Sequence, residues 1–263
     1  IGRVEQRNKL WQHLRETILE NRAQMVVVRG ASGLGKSSLV DWVACRAHEV
    51  GAALPIRMTH QSPNGPSCGL RGTVERSFRC GDLDPDLQVD HILNQLEGLN
   101  VGELSDPICS FLDPQGSLHS SVTFGPIHTA DERYEALCLL FRRLTEIRPR
   151  ILVVDDVQWG ADSLQFIEHL LSRWGHLPIL ILVTLQEEAL RLGSTSGRLL
   201  TRLAAHPAVN TVPIAPLSND AQRELLSSRL VLDSTVLKQL SEASQGNPLF
   251  THELMQNWIR TGV

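Results

Sequence analysis

The sequence predicts an α/β fold: a five-stranded, mostly parallel sheet with a small helical unit after it. Five short apolar runs recur along the 263 residues, at Met25–Arg29, Leu54–Thr59, Ile151–Asp155, Ile179–Thr184 and Val209–Ile214. Each is continuous rather than alternating, the pattern of strands covered on both faces. Segments of helical period lie between them, and strand–helix alternation of this kind closes into a parallel sheet with right-handed crossovers. After Pro216 the strand pattern stops and only helical segments follow.

In chain order, the opening Ile1-Gly2-Arg3-Val4-Glu5 runs into a helical pattern carrying Leu10 and Leu14. Met25–Arg29 is the first strand and Ser38–Ala44 the helix after it, with Leu54–Thr59 as the second strand. Residues 60–130 are rich in Pro, Gly, Ser and Cys, and are too long for a structureless loop in a compact domain. They are expected to be an irregular insertion with a helical piece around Asp86–Leu96. In Arg133–Ile147 one apolar stripe joins Tyr134, Leu137, Leu140, Phe141, Leu144 and Ile147. Leu164, Ile167, Leu170, Leu171 and Trp174 repeat it after the third strand. Beyond the fifth strand, Asp220–Leu230, Ser234–Ala243 and Pro248–Arg260 read as three helices. Ser218 and Asn219 are caps for the first, with Asp220 favoured in its opening turn by the dipole. Gly246 ends the second, and Pro248 suits the opening turn of the third. The expected division is 1–215 for the α/β domain and 216–263 for a helical lid.

Bulk properties narrow the function. The apolar fraction of 42% and charged fraction of 21% are ordinary for a globular chain. A net charge of −4 supplies no bulk basicity, so neither nucleic acid nor an anionic membrane is an expected partner. No apolar run approaches the roughly 20 residues of a spanning helix, and no signal peptide is expected, since the chain goes straight into a helical pattern. The expected location is cytoplasmic, and the Ile start suggests a piece of a longer chain. The five cysteines (Cys45, Cys68, Cys80, Cys109, Cys138) form no C-x-x-C pair, which points to reduced thiols. His60 with Cys68 and Cys80 matches no common zinc spacing.

The chemistry begins at Gly30-Ala31-Ser32-Gly33-Leu34-Gly35-Lys36-Ser37, which fits the P-loop pattern G-x-x-x-x-G-K-[ST] at every fixed position. Its glycines let backbone N–H groups turn inward around a phosphate. A strand precedes it, and the N-terminus of a helix opens at the anion. Gly30, Ser32, Gly33, Leu34, Gly35, Lys36, Ser37 and Ser38 are therefore the candidate phosphate contacts. Lys36 reaches the β- and γ-phosphates, and the Ser37 hydroxyl is a Mg²⁺ ligand.

Hydrolysis needs a second acidic site, and Ile151-Leu152-Val153-Val154-Asp155-Asp156 places two carboxylates at a strand's C-terminal edge, where such sheets bind ligands. Asp155 would hold Mg²⁺ opposite Ser37 and Asp156 would polarise the attacking water. Gln158 and Asp162 lie within reach of assisting, although Asp162 also suits the first turn of the next helix. No guanine-reading N-K-x-D run follows, so adenine is the expected base.

One strand, Leu54–Thr59, separates the P-loop strand from the Asp155 strand. That resembles the additional-strand branch of P-loop NTPases and implies the sheet order 5-1-4-3-2. Gly2-Arg3-Val4-Glu5 with Leu10 and Leu14 resembles the "GR-x-E…L…L" opening of AAA+ and STAND ATPases. Asp155-Asp156-Val157-Gln158-Trp159-Gly160-Ala161-Asp162-Ser163-Leu164 is similar to the "DD-x-H-W-A-D…SL" segment of the STAND ATPases fused to bacterial regulators, cyclases and kinases. Gly246-Asn247-Pro248-Leu249-Phe250, with Glu253-Leu254, resembles that family's "GNP-hh…EL" motif. The resemblance implies a nucleotide held between two subdomains, with Gly2, Arg3 and Val4 against the adenine edge and Pro248 touching it from the lid. Where the family has a "T-Y-R" run this chain has Thr184-Leu185-Gln186. Thr184 keeps the polar position beside the nucleotide, while a γ-phosphate-sensing Arg is replaced by Gln186, so Arg198, Arg202 or a neighbouring subunit would have to supply one.

The expected function is a Mg-ATP-binding, slowly hydrolysing switch within a larger signalling protein, working with its flanking domains. The resemblance also allows a nucleotide-dependent homo-oligomer. Two alternatives stand beside it: a catalytically weak ATP/ADP-binding structural module, and a DNA-loading AAA+ ATPase.

Overall fold

Alternate residues of the three central strands face two separate cores, and that period of two organises the molecule. The computed structural model describes residues 2–63, 65, 67–112, 129–191, 193–228 and 234–261. In chain order these form α1 (Val4–Leu19), β1 (Gln24–Gly30), α2 (Lys36–Glu49), β2 (Leu54–Thr59), α3 (Gly69–Phe78), α4 (Pro85–Gly98) and the short α5 (Ser105–Cys109). Then come α6 (Ala130–Ile147), β3 (Arg150–Asp155), α7 (Ala161–Arg173), β4 (Ile179–Gln186), α8 (Thr195–Ala204) and β5 (Val209–Pro213). Three helices close the chain: α9 (Asn219–Ser227), α10 (Ser234–Ser244) and α11 (Pro248–Thr261).

All strand pairs are parallel and the sheet order is β2-β3-β4-β1-β5, the expected 5-1-4-3-2 read from the other edge. Val26, Val28, Ile151, Val153, Leu180 and Leu182 pack on Leu10 and Leu14 of α1 and Val40 and Val43 of α2. Their alternates Val27, Leu152, Val154, Ile181 and Val183 pack on the opposite side with Phe141, Phe166 and Ile167. Continuous apolar sequence is what two covered faces require. The edge strands depart from this expectation. Arg57 and Thr59 of β2 and Asn210, Thr211 and Pro213 of β5 are exposed, because an edge strand lacks one neighbour and its flanking helices cover less of it.

Residues 69–109 are more helical than the composition suggested. In α3, Leu70, Val74 and Phe78 repeat every four residues and enter the second core, joined by Ile92 and Leu96 of α4 and Ile108 of α5. Residues 113–128 of the expected insertion lie outside the described residues. At the start of α6 the Thr129 hydroxyl accepts from the Glu132 N–H in a capping box. The C-terminal helices share a small core of Leu226, Leu240 and Met255. Ser218 caps α9 by accepting from the Ala221 N–H, as its position predicted. Buried Gln222 is satisfied by Ser244 and Ser241 at 2.8 Å each.

The registers bring one set of strand ends together. Gly30 of β1 pairs with Gln186 of β4, and Asp155 of β3 pairs with Thr59 of β2. The C-terminal edge of the sheet therefore presents the P-loop, the two aspartates and the end of β4 side by side.

Candidate nucleotide-binding site

Lys36 opens α2 and is nearly buried, its Nζ donating to the carbonyls of Gly30 at 2.9 Å and Ala31 at 2.7 Å. Burial pulls its pKa down, and Asp156, Glu188, Asp155 and Glu187 act against that shift. Ser37 Oγ donates to Asp155 Oδ1 at 2.7 Å. The Thr184 hydroxyl donates to the same carboxylate oxygen and accepts from the Asp156 N–H at 2.9 Å. Thr184 is fully buried and acts behind the site, holding both aspartates, rather than lining the cavity. Asp156 sits in the left-handed region (φ 54°, ψ 48°) and lines the cavity over the P-loop. Gln158 straps this turn down: its Nε2 donates to Asp156 Oδ1 at 3.2 Å, and its Oε1 accepts from the Gln186 N–H at 3.3 Å. Asp162 lies in the first turn of α7 and accepts from the Tyr134 hydroxyl, so its part is structural.

Beneath the aspartates lies a residue the sequence did not single out for this position. His60 follows β2 and is buried, with its ring Nδ1 and its backbone N–H both on the Asp155 carbonyl, at 2.9 Å and 3.2 Å. A carbonyl only accepts, so Nδ1 carries the proton and Nε2 is left to accept from Ser163 Oγ at 2.9 Å. Burial is the main cause pulling the His60 pKa down, which favours this neutral ring. Gly160 makes room for it: a Cβ there would stand 2.4 Å from the imidazole.

A polar cavity of about 410 Å³ lies over the loop, walled by Ser32, Gly33, Lys36, Ser37, Asp156 and Gln186. Adjoining it is an apolar cavity of about 280 Å³ between α1, α2, α9 and α11, walled by Leu34, Leu39, Trp42, Leu226 and Met255 together with Gly2 and Arg3. Gly35, Ser38, Pro248 and His252 line both. Arg3 donates to the Leu34 carbonyl at 3.2 Å, and the Arg7 guanidinium lies 4.8 Å from the centre of the Trp42 ring. Val4, expected against the base with Gly2 and Arg3, is 58% exposed and lies outside the lining of this cavity. As the first residue of α1, it has its side chain turned outward.

The C-terminal helices are fastened to the P-loop itself. Asn247 Nδ2 donates to the Ser32 carbonyl at 3.0 Å, and the Leu249 N–H donates to the Gly33 carbonyl at 3.2 Å. Gly33 allows this approach, since it has φ +78° and a Cβ there would meet Asn247 Oδ1 at 2.6 Å. Neither arginine suggested as a substitute for the one missing at Gln186 reaches the site within this chain. Arg202 pairs with Glu168, and Arg198 bonds the Gly193 carbonyl at 3.3 Å. Among the described residues, Lys36 is the one lysine or arginine lining the cavity over the P-loop.

The donor set suits Mg²⁺. A hydroxyl and a carboxylate facing each other at 2.7 Å are the hard oxygen donors that ion takes, usually completed by substrate phosphates and water. Among the described residues no group of three His, Cys, Asp or Glu side chains forms an all-protein metal cage.

This sheet order, loop and pair of carboxylates at one strand end define a P-loop nucleotide-binding domain. Residues 1–183 match the family of the AAA ATPase domain, and the chain belongs to it. The matched span takes in the P-loop and both aspartates and stops within β4, ahead of Gln186 and the C-terminal helices. No curated protein matches in sequence. Among solved structures, the chain is similar to ORC1 of Aeropyrum pernix in complex with DNA, at 16% identity and a TM-score of 0.52 over 99% of this chain and 61% of that one. It thus spans about three-fifths of the length of that protein. Domain III of the replication initiation protein DnaA of Thermotoga maritima aligns at 14% identity and a TM-score of 0.48, over 100% of this chain and 87% of that one.

Proposed function

We propose that this ATP-binding AAA+ domain is a slowly hydrolysing Mg-ATP/ADP switch of the STAND type, serving a larger signalling protein. In this reading residues 1–215 hold the phosphates and 216–263 form the lid. The observation that carries it is the pair of hydrogen bonds from Asn247 and Leu249 to the Ser32 and Gly33 carbonyls. A nucleotide that reshapes the loop acts on the helices beyond it, and ATP shifts the lid between two positions only by its differential affinity for them.

The geometry supports the following roles. The apolar cavity takes the base, with Gly2 and Arg3 at its rim and Pro248 closing it from α11. The amides of Gly33 to Ser38 take the phosphates, and Lys36 exchanges the loop carbonyls for phosphate oxygens. Ser37 and Asp155 would hold Mg²⁺, which would neutralise charge on the transferred phosphoryl group. Asp156, held by Gln158 and lining the cavity, orients the attacking water and draws off its proton. Turnover is slow because Gln186 is neutral and Arg198 and Arg202 are engaged elsewhere.

The test is nucleotide titration. The chain should bind Mg-ADP and Mg-ATP with micromolar affinity, and Lys36→Ala should weaken both about a hundredfold, the scale of losing a charge-assisted contact to phosphate. Unchanged binding by that variant would overturn the assignment. A second reading, loading onto DNA, draws on the likeness to ORC1, which was solved with DNA. Duplex binding that weakens steeply with salt would favour it.

A further inference from the structure

We infer that Glu188 makes the site prefer a nucleoside diphosphate to a triphosphate, an inference that rests on the nucleotide-site reading above. The two cavities fix the direction of a bound nucleotide. Gly35 and Ser38 line both, so the phosphate nearest the sugar lies there, whereas Ser32, Asp156 and Gln186 line the polar cavity alone. The last phosphate of a triphosphate therefore comes to rest at the Ser32–Gln186 end.

The Ser32 amide at that end is already engaged by an anion from outside the cavity lining. The turn after β4 reads Gln186-Glu187-Glu188, and Glu188 Oε1 accepts from the Ser32 N–H of the P-loop at 3.1 Å. Its neighbour Glu187 is paired with Arg29 of β1 at 2.5 Å, which anchors the turn against the loop and removes that arginine as a phosphate partner. Lys36, the one lysine or arginine lining the cavity among the described residues, lies within the electrostatic reach of Asp155, Asp156, Glu187 and Glu188. A β-phosphate placed at Lys36, between the two ends, leaves Glu188 where it is. A γ-phosphate must displace the carboxylate from Ser32 or sit beside it, like charge against like charge. The turn thus has the opposite sign to an arginine at the same strand end: it penalises the third phosphate.

Glu188→Gln isolates the charge, because the amide oxygen still accepts from Ser32, and an exposed side chain leaves the fold intact. Calorimetric titration of the 263-residue chain with Mg-ADP and with a non-hydrolysable Mg-ATP analogue reads the preference directly. The native chain should bind ADP about tenfold more tightly, the scale of one unfavourable charge pair at a protein surface. Glu188→Gln should tighten the triphosphate about fivefold and leave ADP within about twofold. Glu187→Gln, which frees Arg29, should also tighten the triphosphate, whereas substituting the remote Glu103 should move neither. Equal affinities in the native chain, or equal shifts of both ligands in Glu188→Gln, would overturn the inference while leaving the nucleotide site standing. Failure of both nucleotides to bind would instead remove the site itself.

Discussion

The two halves of the cleft are built by different routes. The phosphate half stands on strand ends: the P-loop leaves β1, Asp155 and Asp156 leave β3, and Gln186 ends β4, all in fixed register at one sheet edge. The apolar half, proposed above to take the base and called the base half below, is assembled from α1, α2, α9 and α11, with side chains as far apart in the chain as Trp42 and Met255. Sheet register sets the first to within a hydrogen-bond length, whereas the second depends on where the C-terminal helices rest. Chemistry is therefore expected to fail through the first half and coupling through the second.

The largest effect belongs to the phosphate half. Asp156→Asn should lower phosphate release by a factor of about 10² to 10⁴, the range for losing a positioned general base, while ADP affinity stays within about twofold. Phosphate release under single-turnover conditions checks this. A parallel loss of ADP binding would mean that Asp156 shapes the cavity rather than serving the water. The companion in the base half is Leu226→Ala. Leu226 is buried both in the core of the C-terminal helices and in the wall of the apolar cavity. Truncation should cost about 2–4 kcal/mol of stability, and saturating ADP should restore part of it by mass action. Thermal melts with and without ADP measure both quantities, and a variant indifferent to ADP would separate these helices from the nucleotide.

This division also explains what could be read from sequence. Gly30–Ser37 and Asp155-Asp156 are contiguous because a turn and a strand end must supply several groups at once, so their spacing carries the chemistry. Trp42, Leu226 and Met255 look like any core residues, and only the packing of four helices turns them toward one cavity. Arg3 lines the apolar cavity, while the neighbouring Val4 does not, since α1 begins there and rotates it outward. The helix α3 was hidden by the Pro- and Ser-rich residues before it, although Leu70, Val74 and Phe78 carry a four-residue period. Nothing in the sequence marks His60 for this place, because an isolated histidine carries no spacing signal. Its work under Asp155 depends on Ser163 and Gly160, a hundred residues further along.

That buried histidine yields a smaller effect. Gly160→Ala would drive a Cβ into the His60 ring, an overpacking expected to cost about 1–3 kcal/mol. Adding His60→Ala should recover part of that loss, because the second truncation opens the space the first one needs. Urea denaturation of the two single variants and the double variant gives the coupling. Strictly additive losses would show that the loop around Gly160 yields without disturbing the ring.

The smallest effect concerns the seam where the halves meet. Asn247 donates to the Ser32 carbonyl, and its Oδ1 accepts from the N–H groups of Leu249 and Phe250 at 3.1 and 3.2 Å, so one side chain caps α11 and tethers it to the P-loop. Losing one net hydrogen bond and a helix cap costs about 1–2 kcal/mol, most of it local to these helices. Asn247→Ala should therefore leave the melting of the sheet nearly unchanged and raise amide exchange in α11. Asn247→Asp separates the two roles, since a carboxylate can still cap the helix but cannot donate to Ser32. If Asp restores slow exchange in α11 yet ADP no longer slows it further, the Ser32 tether carries the coupling. If ADP still protects α11 in that variant, the coupling runs through Pro248 and the base cavity instead.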